Sequence, residues 1–146
     1  LMVSVWPTVD YRSENFAEMK EKGYLIQCEK GVRISMLCGG NEVFFDATNP
    51  EARRFVWDKI KKNYWEKGAK LFWLDVAEPE YTTYQFDNYR YYLGTNLEVG
   101  NSYPKFYTQG FFEGRRRGSA AGESGTSCMG RKRQIWGAGM VWRYCE

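Results

Sequence analysis

Apolar and polar positions along the chain change period several times, and each change marks an element. Leu1 to Trp6 is an apolar, β-prone run that Pro7 stops, because proline cannot donate to a ladder. Ser13 then offers an N-cap for a short helix running to about Lys22, with Gly23 as its stop and Phe16 and Met19 on its apolar side. From Tyr24 to Phe45 three short β-prone runs, 24–26, 32–36 and 43–45, are separated by turn residues and predict a hairpin-like β excursion. The next helix carries the strongest start signal: Thr48-Asn49-Pro50-Glu51 holds the Thr-x-x-Glu capping spacing, a second cap at Asn49 and a proline in the first turn. Ala52, Phe55, Val56, Ile60 and Tyr64 recur on one face, Arg53, Arg54, Asp58, Lys61, Lys62 and Glu66 fall elsewhere, and Gly68 ends the helix.

Four consecutive large apolar residues follow, Leu71-Phe72-Trp73-Leu74, and give way at once to Asp75, then Glu78 and Glu80. A run of that length without alternation predicts a strand buried on both faces, the kind found in parallel sheets covered by helices. With the opening strand it makes a β/α/β/α order, and a helix between two strands implies that they run parallel. The fold class is therefore α/β. In barrels of such units the chemistry sits where strands end. The pattern leaves Asp75 open between a catalytic carboxylate and the cap of a turn before Pro79. Residues 81–92 are too aromatic for an ordinary solvent loop and read either as the wall of a sugar pocket or as a packed loop or meeting surface. Tyr103 to Phe112 resumes helical spacing, and beyond Glu113 no period of either kind is sustained.

Charge sharpens that last boundary. The net charge is +3, yet residues 1–112 carry 14 Lys/Arg against 15 Asp/Glu, so the basic excess belongs to the tail, with Arg115-Arg116-Arg117 and Arg131-Lys132-Arg133. By composition alone residues 114–146 read as a disordered or nucleic-acid-binding tail. Cys28, Cys38, Cys128 and Cys145 form no C-x-x-C pair and the chain has no histidine, so zinc sites and Cys–His or Ser–His catalysis find no support. A reducing, cytoplasmic setting is the default expectation. No apolar run is long enough to span a bilayer, and Leu1–Trp6 reads as a strand entered in mid-course, so the chain is expected to begin inside a domain.

Three ordered motifs, Trp6-Pro7-Thr8-Val9-Asp10, Phe45-Asp46-Ala47-Thr48-Asn49-Pro50-Glu51-Ala52-Arg53 and Lys70-Leu71-Phe72-Trp73-Leu74-Asp75-Val76-Ala77-Glu78-Pro79-Glu80, resemble the catalytic barrel of glycoside hydrolase family 31, the α-glucosidases and α-xylosidases. The resemblance covers roughly residues 1–113 and implies a partial TIM (β/α)8 barrel with a small β excursion between strand and helix. It assigns Asp75 as the nucleophile and puts Trp73 and Trp6 around the terminal sugar; Glu78 is a further candidate one layer behind them. The implied partner is an oligosaccharide or α-glycoside, with no cofactor, no metal, no nucleic acid and no membrane, and a homo-oligomeric parent stays open. The chemistry suits the residue types, because a retaining glycosidase sets two carboxyl groups about 5–5.5 Å apart, one to attack the anomeric carbon and one to protonate the leaving oxygen. The first must be ionised at neutral pH, and its partner must be held protonated by its surroundings.

In the family that acid/base aspartate lies downstream in a stretch ending Leu-Val-Trp-Ser-Gly-Asp, which this chain lacks. Reverse translation of residues 127–144, read one base later, forces tryptophan at Met129–Gly130 and Met140–Val141 and glycine at Trp136–Gly137 and Trp142–Arg143, where the family stretch requires them. The remaining codons permit the rest, with the aspartate codon straddling Arg143 and Tyr144. A one-base slip between about Phe112 and Ser127 is therefore expected, making residues 114–146 a frame-shifted tail. A stop, or no aspartate codon, in the +1 frame of the coding DNA would end that explanation. Since a complete (β/α)8 domain takes about 250 residues, the chain is expected to be under half a barrel, inactive and poorly soluble alone. Two rivals remain at this stage: an RNA-binding module using the aromatic loop and basic tail, and a non-catalytic scaffold presenting loop 81–92.

Overall fold

The computed structural model of the chain describes residues 1–30, 41–77, 79, 86–119 and 140–141, with 118, 119, 140 and 141 described by backbone alone. Its centre is a pair of parallel strands, β1 (Met2–Val5) and β5 (Leu71–Leu74), in the register Met2–Leu71 to Val5–Leu74. Between them come β2 (Thr8–Asp10), α1 (Glu14–Glu21), β3 (Gln27–Cys28), β4 (Glu42–Phe44) and α2 (Pro50–Ile60). After β5 follow β6 (Tyr89–Tyr91), β7 (Gly94–Thr95), a short α3 (Asn96–Val99), the long α4 (Tyr103–Ser119) and β8 (Met140–Val141). The parallel pair with α2 as crossover is the barrel unit expected from the sequence; among the described residues no closed barrel forms.

Local chemistry explains the helix starts. Ser13 caps α1 by accepting from the Asn15 amide at 3.0 Å. For α2 the structure selects Asn49, whose side chain accepts from Glu51 and Ala52 amides at 2.9 and 3.5 Å ahead of Pro50. Thr48 is not the cap: its hydroxyl donates to Asp46 at 2.6 Å instead.

The face of α2 differs from its apolar spacing in two ways. Arg53, grouped with the solvent side by pattern, is buried, and its guanidinium donates to the Ala47 and Thr48 carbonyls at 2.9 and 3.2 Å. It is buried because α4 comes very close there: an added Cβ at Gly110 would sit 3.2 Å from Arg53, and one at Gly114 would overlap the Trp57 indole. The two glycines lie one turn apart on α4 and open the groove into which Arg53 and Trp57 fit. Second, α2 passes into a π-helical turn at Lys61–Trp65. The wider turn shifts the buried face by one residue, so Tyr64 turns outward at 41% exposure, while Trp65 packs on Trp57 and stacks on Phe72 at 5.7 and 6.5 Å. Gly68, at φ +95°, then lets the chain reverse into β5.

β5 is closed on one side only. Phe72 and Leu74 are buried under α2 and α4, whereas Leu71 and Trp73 are half-buried. The expectation of burial on both faces therefore holds for the helix-covered face and fails for the other. Rings run without a break from Phe72 through Phe111 and Tyr107 to Phe45, with centroids 5.7 Å apart at each step. Much of the high aromatic content thus goes into a core.

The β excursion is not a simple hairpin. Its base is antiparallel, with a Leu25–Phe45 bridge and the Ile26 amide donating to Phe44 at 3.0 Å. Higher up, the strands part: β4 pairs with β2, and β3 pairs with β6, which pairs with β7. Residues 31–40 lie outside the described residues. α4 continues past Glu113 to Ser119, and β8 pairs antiparallel with β5 as Trp73–Val141 and Leu74–Met140. Two stretches of the expected irregular tail are thus regular: the helix runs past its expected end because glycine and arginine hide its period, and β5 offers an open edge. Residues 120–139 and 142–146 lie outside the described residues, and nothing in the fold bears on the one-base slip expected between about Phe112 and Ser127.

Candidate active site

Side chains alternate along a strand, and the parallel register aligns Ser4 with Trp73, so the next pair outward is Trp6 opposite Asp75. Trp6, Trp73 and Asp75 are thus brought to one face at the carboxyl ends of β1 and β5. That is the face the described helices leave open: Trp6 is 44% exposed, and Trp73 and Asp75 are half-buried. Glu78 lies outside the described residues, as do residues 81–85 of the aromatic loop.

The end of β5 is held more firmly than its exposure suggests. The Asp75 amide donates to the Val5 carbonyl at 3.0 Å, extending the ladder by one bond. The same carbonyl accepts the Tyr107 hydroxyl of α4 at 2.8 Å. Burial holds the Tyr107 phenol far above its ordinary range, and the charge of Asp75 adds to that effect, so the hydroxyl stays a donor. Immediately after Asp75, Val76 adopts φ +53°. A β-branched residue in the left-handed region is strained, and such strain persists only where the surroundings over-determine it.

After β4 stands a buried carboxylate that sequence pattern did not single out. Asp46 is 2% exposed and accepts from the Thr48 amide and hydroxyl at 2.9 and 2.6 Å and from the Tyr92 amide at 2.5 Å. Burial raises its pKa, and the hydrogen bonds from Thr48, Tyr92 and Asn49 only partly oppose this. Thr48 in turn accepts from the Leu93 amide at 3.4 Å. Asp46 therefore ties the start of α2 to the β6–β7 turn. The Asp-x-Thr spacing ahead of a helix cap was the available signal; the Tyr92 partner, 46 positions away, left none.

The aromatic loop divides. Tyr89 and Tyr91 are buried, with the Tyr91 hydroxyl donating to Asn96 at 2.9 Å, so these two belong to a packed element. Phe86 and Tyr92 are exposed. A hollow of about 390 Å³ lined by Pro79, Phe86, Leu97 and Pro104, among others, contains none of Trp6, Trp73 or Asp75. Among the described residues no cluster of His, Cys, Asp and Glu is arranged to hold a metal, and no helix is long and apolar enough to cross a membrane.

Comparison with known proteins places this geometry. The profile described as "Glycosyl hydrolases family 31 TIM-barrel domain" matches residues 1–140. The chain is 60% identical over 116 residues to an uncharacterized family 31 glucosidase, ORF2, of Pseudescherichia vulneris, covering 80% of this chain and 22% of that protein. It is 33% identical to α-xylosidase A of Aspergillus niger, covering 88% of this chain and 20% of that protein. Among solved structures, a family 31 α-xylosidase from a soil metagenome, complexed with xylose, superposes with a TM-score of 0.77 at 59% identity, covering 81% of this chain and 18% of that one. The chain thus spans about a fifth of the length of these relatives. With its motifs, its parallel β1–β5 unit and the profile match in agreement, this chain belongs to glycosyl hydrolase family 31, as a segment of its TIM-barrel domain.

Proposed function

We propose that the chain is the nucleophile-bearing part of a retaining α-glycosidase that removes a terminal α-linked xylose or glucose. The carrying observation is the position of Asp75: it closes the β5 strand end on the open face, opposite Trp6 and two residues from Trp73, on an amide tied to β1 at 3.0 Å. The family relatives named above are an α-xylosidase, a glucosidase and an α-xylosidase holding xylose, which supports that substrate class.

In this mechanism the Asp75 carboxylate attacks the anomeric carbon while a protonated carboxyl group donates its proton to the departing glycosidic oxygen. A covalent glycosyl–Asp75 ester results. The second group, now a base, deprotonates a water that attacks the same carbon and releases the sugar with its configuration retained. Trp6 and Trp73 offer apolar faces to the ring. The acid/base residue is assigned to a family stretch that the 146 residues lack, so this chain by itself does not turn over. Glu78 keeps its place as a candidate behind the sugar-contacting residues.

The test uses the full-length enzyme that carries this segment. Asp75→Asn is expected to lower kcat on an aryl α-xyloside or α-glucoside by about 10⁴-fold or more, the scale for a lost nucleophile. Mass spectrometry of the enzyme quenched with a slow fluoro-sugar substrate is expected to find the sugar on the peptide holding Asp75. Label on a different carboxylate, with Asp75→Asn still active, would refute the assignment.

A further inference from the structure

Tyr107 is fully buried on α4, which comes after β5 in the chain, and its hydroxyl has one described destination: the carbonyl of Val5, at 2.8 Å. That carbonyl ends β1 and also receives the Asp75 amide at 3.0 Å. One oxygen therefore joins three elements, β1, β5 and α4, at the residue proposed to react. On the other side of Asp75 the chain turns at once through the strained Val76, at φ +53°. The carboxylate thus projects from a backbone fixed before it by hydrogen bonds and after it by an unfavourable dihedral. The ring of Tyr107 is itself immobilised, with edge contacts to Phe45 and Phe111 at 5.7 Å and a tilted contact to Tyr103 at 6.2 Å.

We infer that Tyr107 is a positioning residue for Asp75: its hydroxyl holds the Val5 carbonyl that receives the Asp75 amide, and so sets where the carboxylate stands relative to the anomeric carbon. The inference rests on Asp75 being the nucleophile. Its physical basis is that attack requires a near-attack distance, and a displacement of about 1 Å at the reacting group costs on the order of 10²-fold in rate. Loss of the hydroxyl leaves the Val5 carbonyl with one donor and lets the β1 end relax relative to α4.

Tyr103 supplies the control. It lies one turn earlier on the same helix, is equally buried, and its hydroxyl donates to a backbone carbonyl at a similar length, that of Phe45 at 2.9 Å, which is not the carbonyl that receives the Asp75 amide. Tyr103→Phe and Tyr107→Phe each remove one buried hydroxyl and keep the ring, so their structural costs are matched. In the full-length enzyme, both are expected to lower the melting temperature by similar amounts. Only Tyr107→Phe is expected to lower kcat, by about 10-fold with KM little changed, and to slow formation of the glycosyl-enzyme in single-turnover experiments by the same factor. Asp75→Asn is run alongside. If it is inactive while Tyr107→Phe keeps the parental kcat, or while both Phe variants lose kcat equally, the positioning role is overturned and the nucleophile assignment stands. If Asp75→Asn retains full activity, both fall.

Discussion

The two faces of β5 carry opposite logic. On one, Phe72 and Leu74 are sealed by Trp57, Trp65 and Phe111 into an aromatic core, where packing decides the outcome. On the other, Leu71, Trp73 and Asp75 stand half-buried beside Met2, Ser4 and Trp6, with none of the described helices over them. Parallel strands occur almost only in sheets with both faces covered; here the described helices cover one face, which anchors the strand, and leave the other to carry chemistry. In the proposed enzyme the open face is the interior of a barrel, closed by strands outside this segment.

The largest expected effect tests the sealed face. Trp57→Ala removes the ring that meets Trp65, Phe72 and Phe111 and is expected to cost about 3–5 kcal/mol in the full-length enzyme, read by denaturant unfolding. Leu71→Ala in the same background reports on the open face. A cost of about 2–5 kcal/mol is expected, because further strands would bury Leu71 in the complete barrel. A cost within about 0.5 kcal/mol, the range of a surface substitution, would mean that this face stays open and the barrel reading is wrong.

How much of this was legible in the sequence follows the same division. The parallel β1–α2–β5 unit was readable because its signals are local: an uninterrupted apolar run, an Asn-Pro cap and a Pro or Gly at each stop. So was the place of Asp75 at the end of β5, which needs only the end of the apolar run; Trp6 opposite it needed the register of the parallel pair. What stayed hidden depends on partners distant in sequence. Arg53 looks like a solvent residue until Gly110 and Gly114 of α4 are seen to press against α2. Tyr64 and Trp65 exchange places through a π-helical turn that no residue pattern announces. Tyr107 reads as one more apolar-face aromatic, since its hydroxyl partner lies 102 positions away.

Asp46 offers an intermediate effect, at the tie between the start of α2 and the β6–β7 turn. In Asp46→Asn, either orientation of the new side-chain amide would turn its NH₂ toward a backbone or hydroxyl donor, so the substitution is expected to cost about 1–3 kcal/mol. Its pH dependence has a definite sign. Burial raises the folded pKa above the ordinary 3.8, so between those values the folded state holds more proton than the unfolded one. The contribution of Asp46 is thus greatest below the unfolded value and is lost as pH rises through the folded one. Denaturation of the parent and Asp46→Asn across the acid range should show that descending component in the parent alone. If the difference between the two curves is flat with pH, Asp46 is not the buried titrating group inferred from its burial.

The smallest stability effect bears most directly on the open face. For an L residue the left-handed conformation of Val76 costs about 1–2 kcal/mol, which glycine would relieve. Val76→Gly also gives up a partly buried side chain and gains unfolded-state entropy, so the contributions nearly cancel and a net change within about 1 kcal/mol is expected. The rate should respond differently. If the dihedral at Val76 helps fix the carboxylate, glycine loosens the one segment that the Val5 carbonyl does not hold, and kcat falls several-fold at nearly constant melting temperature. A variant that melts several degrees lower with its kcat intact would show Val76 to be an ordinary packing residue, and would leave the hydrogen bonds at Val5 as the sole constraint on Asp75.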